Sequence, residues 1–111
     1  MILSSEIRFA DDSIKTSFYN LEKGDSSERE LFKFINQAMD NIEKNAFCGI
    51  QIRKNLIPKE YVSKYKISNL WKYDLPNAWR LIYSIKGGKV IVISVLLDWM
   101  SHKEYERKFK Y

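Results

Sequence analysis

Apolar positions follow two rhythms along the chain, helical in its first half and strand-like from Asn69 onward. Glu6 to Phe9 alternates charged and apolar residues, the period-two pattern of a short half-buried strand. Ile14, Phe18 and Leu21 then recur at helical spacing behind Asp11 or Asp12, either of which supplies a capping oxygen, and Gly24 is a natural stop. Ser27 and Glu30 read as a Ser-x-x-Glu capping box ahead of a stripe of Leu31, Phe34, Ile35, Ala38 and Ile42, predicting a second helix over roughly residues 28 to 45. Ala46 to Gly49 turns the chain. The pattern from Ile50 to Ser68 is weaker: either Pro58 opens a short helix through Lys66, with Val62 and Tyr65 or Tyr61 and Tyr65 inward, or the segment is a structured loop.

Three strands in series follow: Leu70 to Leu75, a turn at Pro76 and Asn77, Trp79 to Ile85, a Gly87-Gly88 turn, and Lys89 to Leu97. A Gly-Gly pair between β-rich runs signals a tight hairpin, whose central residues need positive φ. Ser101 and Glu104 form a further capping box that opens a helix to about Lys110. The expected fold is one α+β domain over residues 1–111, in the order β-α-α-(short helix or loop)-β-β-β-α, with helices packed on an antiparallel sheet.

Length and composition narrow the class. At 111 residues the chain builds one core, and 45% hydrophobic with 30% charged residues excludes a disordered or low-complexity protein. The longest apolar run, Val90 to Leu97 interrupted by Ser94, is far short of the roughly 20 residues needed to cross a bilayer. The N-terminus shows no basic region followed by an apolar stretch, so a cytoplasmic protein without membrane partners is expected. With Cys48 as the sole cysteine and His102 the sole histidine, there is no internal disulfide and no Cys and His cluster at zinc spacing. The net charge of +5 is unevenly spread: residues 1–50 carry six Lys and Arg against nine Asp and Glu, residues 51–111 thirteen against five. The second half therefore suits a polyanion, or simply a basic soluble surface.

The stretch NLWKYDLPNAWRLIYSIKGGKVIVISVLLDWMSHKEYERKF resembles the C-terminal half of the RelE/ParE superfamily of type II toxin-antitoxin toxins. Arg80-Leu81-Ile82-Tyr83 matches that family's Arg-aliphatic-aliphatic-Tyr strand, followed by a turn, an apolar strand and a terminal helix. The preceding elements match in arrangement only. In the RelE branch the resemblance implies a RelE-like β-α-α-β-β-β-α fold and an endoribonuclease that cleaves mRNA on the ribosome and is silenced by a cognate antitoxin. It also implies no metal or other cofactor: the 2′-hydroxyl attacks the adjacent phosphate, leaving a cyclic phosphate and a 5′-hydroxyl. Such a reaction needs a base, a proton donor for the leaving oxygen, and fixed positive charge at the phosphorane. The ParE branch implies instead a topoisomerase-binding toxin, and a non-catalytic RNA- or protein-binding module on the same scaffold is a third reading.

The resemblance places the strand arginine at Arg80, which alternation sets on the face opposite Trp79, Leu81 and Tyr83. Lys72 lies on the adjacent strand, where RelE-like enzymes carry lysines; a one-residue change of register would present Tyr73 instead. Tyr105 falls near the family's terminal tyrosine or histidine, although Met100 and Tyr105 also suit a hydrophobic staple. His102, three residues earlier, is a second proton-transfer candidate, its unperturbed pKa of ~6.5 suiting neutral pH. Where several ribonuclease members carry a basic residue after the last strand, this chain has Asp98 and Trp99. Arg53, Lys54, Lys64, Lys66 and Lys103 are candidate phosphate contacts and Trp99 a candidate base-stacking ring.

Overall fold

In the computed structural model, which describes residues 3–87 and 89–94, the chain forms a five-stranded mixed sheet with helices against it. β1 (Glu6–Phe9) leads into α1 (Asp12–Asn20), and Gly24 ends the 3-10 turn that follows it. Asp11 is the cap of α1, its carboxylate accepting from the Ile14 amide at 2.9 Å and from the Ser13 hydroxyl at 2.6 Å. α2 (Ser26–Lys44) buries Leu31, Ile35, Ala38 and Ile42, most of the expected stripe, with Phe34 half-buried. Its capping box is Asp25 with Glu28 rather than Ser27 with Glu30. Asp25 stands in extended backbone just after Gly24 and accepts from the Glu28 amide at 2.9 Å, so the helix has already begun when the chain reaches Ser27.

Loss of the Asp11 cap gives a measurable effect. The Ser13 hydroxyl first, then the Ile14 amide, hold the Asp11 carboxyl below its ordinary 3.8, and Lys64 adds attraction. A depressed carboxyl stabilises the fold above its unfolded value and loses that contribution as pH falls through the folded one. Asp11→Ala should therefore lower stability by about 1 kcal/mol at neutral pH. In denaturant titrations the gap from the parent should close in acid below that ordinary value.

β2 (Ile50–Gln51) is an edge strand that the sequence pattern, a short helix or structured loop over Ile50 to Ser68, does not foresee; it exists through its pairing of Ile50 with Lys72 and Gln51 with Trp71. α3 (Lys59–Tyr65) decides the middle segment in favour of a short helix, with Tyr61 buried, Tyr65 half-buried and Val62 exposed. Lys66 ends it in the left-handed conformation. β3 (Trp71–Asp74), β4 (Arg80–Lys86) and β5 (Lys89–Ser94) are the three antiparallel strands expected, with Gly87 at φ +58° in the last turn. The sheet order is β1-β5-β4-β3-β2, and β1 runs parallel to β5. The expectation of a wholly antiparallel sheet is thus corrected: alternation at Glu6 to Phe9 specifies a strand but carries no information on its direction. The expected terminal helix, from Ser101 to about Lys110, lies outside the described residues.

Two apolar clusters cover the two faces of the sheet. On one face α1 and α2 bring Ile14, Phe18, Leu31, Ile35 and Ile42 against Leu81, Tyr83 and Val90. On the other, Ile52, Tyr61, Ile67 and Leu70 close over Ile82. Each fully buried aliphatic side chain contributes about 1.5–3 kcal/mol from removal of apolar surface, so neither layer is incidental. Residues 80–84 are buried throughout, Arg80 among them.

Candidate functional site

The register of β3 against β4 decides which side chains meet. At one end the chain turns through Pro76–Ala78, with Asn77 in the left-handed region and the Leu75 amide bonded to the Trp79 carbonyl at 2.9 Å. At the other, the Asn69 side chain imitates a strand partner: its amide donates to the Ile85 carbonyl and its oxygen accepts from the Ile85 amide, both at 2.8 Å. Between these clamps Lys72 stands opposite Ile82 and Asp74 opposite Arg80. Lys72, Asp74, Arg80 and Ile82 therefore share one face. Tyr73 points to the other, where its hydroxyl meets the Asn41 amide at 2.9 Å.

On that shared face a single carboxylate oxygen bridges two cations. Asp74 Oδ1 lies 2.8 Å from Arg80 Nε and 3.6 Å from Lys72 Nζ. Arg80 Nη1 also donates to the Trp79 carbonyl at 3.1 Å, which fixes the plane of the guanidinium. The side chains of Arg80 and Lys72 are only 10% and 17% exposed, whereas Asp74 is 48% exposed. Sequence alternation sets Arg80 on this face but suggests an open sheet surface; the side chain is buried instead. Asp74 is the member that the sequence reading missed. Its signal was the i, i+2 spacing from Lys72, which puts both on one side of a strand.

The segment that covers this face is basic on its outer side. Arg53, Lys54 and Lys66 are exposed, on the stretch whose apolar residues pack against Ile82, two positions along β4 from Arg80. Lys64 is exposed as well, 4.0 Å from the Asp11 carboxylate and with its ammonium 5.3 Å from the centre of the Tyr65 ring. The structure thus puts Lys72 and Arg80 together and the basic segment on the same side of the sheet. Trp99, His102, Lys103 and Tyr105 lie outside the described residues, as does Asp98.

Behind the site, on the helix-packed face, Tyr83 is fully buried and ties β4 to the chain ahead of β2. Its hydroxyl donates to the Ala46 carbonyl at 2.9 Å and accepts from the Gly49 amide at 3.1 Å. Gly49 permits this approach because a Cβ there would collide with that hydroxyl and stand 2.6 Å from the Lys72 carbonyl. Burial pushes the Tyr83 phenol well above its ordinary range, with Cys48 and Tyr73 adding in the same direction.

Among the described residues no group of three or more His, Cys, Asp and Glu side chains is placed to hold a metal ion. Nor is any described helix long and apolar enough to cross a membrane. No family model, curated protein or solved structure matches the chain.

Proposed function

We propose that this chain is the toxin of a type II toxin-antitoxin pair, an endoribonuclease of the RelE type that cleaves ribosome-bound mRNA without a metal. The observation that supports it most is the pairing of Arg80 and Lys72 on one sheet face, on the side carrying the exposed Arg53, Lys54, Lys64 and Lys66. A reaction through a pentacoordinate phosphorane accumulates negative charge on the non-bridging oxygens, and cations held in place before the reaction stabilise it without reorganising. Arg80 is so held: its side chain is mostly buried and its Nη1 donates to the Trp79 carbonyl. Its planar fork suits two phosphate oxygens, while Lys72 adds a point charge. The basic segment tracks the RNA or ribosomal backbone. Tyr105 and His102 are the proposed groups for proton exchange at the attacking and leaving oxygens. A cognate antitoxin holds the toxin inactive in the cytoplasm, where ribosomes and mRNA are its targets.

The direct test uses purified protein with mRNA-programmed ribosomes. Cleaved mRNA bearing cyclic phosphate and 5′-hydroxyl ends is the expected result. Intact mRNA with a folded protein would remove the ribonuclease assignment, and inhibition of a purified topoisomerase under the same conditions would point to the ParE branch.

A further inference from the structure

We infer that the Asp74 carboxylate is a resident anion in the subsite between Lys72 and Arg80, and that an RNA phosphate binds there by displacing it. The ligand class rests on the ribonuclease reading; the competition rests on geometry. One oxygen of Asp74 faces both cations, at 3.6 and 2.8 Å, which is the position a phosphate oxygen would take between the same two charges. The three groups differ in depth. The side chains of Lys72 and Arg80 are mostly buried, while Asp74 is about half exposed. The carboxylate can therefore swing into water, and Arg80 keeps its bond to the Trp79 carbonyl as it leaves.

Such an arrangement selects for ligands that bring more than one phosphate. An isolated anion must replace a carboxylate already present at high effective concentration, gaining little. A single strand anchored along the basic segment arrives with its other contacts made, so its phosphate competes locally.

Asp74→Asn keeps the side chain's shape and removes the competing charge. Its affinity for a short 2′-O-methyl single-stranded oligonucleotide, which cannot be cleaved, should rise about tenfold at low salt, as measured by fluorescence anisotropy. Asp74→Glu, which restores the charge, should bind like the parent. Affinity unchanged or lowered in Asp74→Asn would overturn the inference. A second measurement needs no variant: in the parent protein the Asp74 carboxyl carbon and Arg80 Nε–Hε resonances should move together as the same oligonucleotide saturates. Resonances that stay still at saturation would overturn it equally. Neither readout involves cleavage, so a protein that shows the displacement yet never cuts mRNA loses the ribonuclease reading alone. One that cuts mRNA while Asp74→Asn binds no tighter loses only the displacement.

Discussion

Arg80→Ala abolishes mRNA cleavage and growth inhibition while the chain still folds: this is the expected result with the largest functional effect. Removing one fixed donor from a developing oxyanion commonly costs 10²- to 10³-fold in rate, or roughly 2.7–4 kcal/mol, and Arg80 supplies both charge and a fork of donors. The stability cost is smaller but not zero, because the arginine stem is buried rather than lying on an open sheet face. Its partner Asp74 is half exposed, so the carboxylate left behind returns to water, and the ion pair itself contributes only about 0–1 kcal/mol. A modest fall in melting temperature together with the loss of single-turnover cleavage on ribosome-bound mRNA is the expected signature. Arg80→Lys should recover the stability and part of the rate. Full cleavage by a folded Arg80→Ala protein would show that the phosphate is held elsewhere.

The largest effect on stability is expected at Tyr83. Tyr83→Phe keeps the ring in its buried place but leaves the Gly49 amide and the Ala46 carbonyl without their shared partner, which should destabilise the fold by about 1–3 kcal/mol. The same hydroxyl imposes a pH dependence. Burial raises its pKa above the ordinary 10.0, so above that pH the unfolded chain releases a proton that the folded chain keeps. Stability then falls as pH rises, by up to about 1.4 kcal/mol per unit from this group, until the folded phenol itself ionises. Urea unfolding midpoints of the parent should therefore drop in alkaline buffer, and Tyr83→Phe should lack this part of the drop. Equal alkaline losses in both proteins would remove Tyr83 as the source.

Local signals were legible wherever a segment's own periodicity or capping chemistry suffices. The four-residue alternation at β1, the inward stripe of α2, and the Gly87 turn each depend on neighbours a few positions away, and each stands as read. The capping box shifted by two residues because Asp25 and Ser27 both carry a capping oxygen, and only the extended backbone after Gly24 chooses between them. For α3 the pattern left helix and loop open; burial of Tyr61 against Ile82, rather than any strong periodicity, supplies the inner face.

At the site, the chain's own alternation puts Arg80 across the strand from Leu81 and Tyr83, since side chains alternate with period two in any strand. It could not determine what stands beside Arg80. Whether Lys72 or Tyr73 shares its face depends on a register set by the Asn69 clamp and the left-handed Asn77, groups far apart along the ladder. Nor could it place β1 beside β5 or add β2 to the far edge, because strand pairing is a choice among distant partners. The bridging carboxylate of Asp74 and the burial of both cations come from the same source. A strand's sequence encodes which residues face together, while their depth and charged neighbours depend on what tertiary packing brings beside that strand.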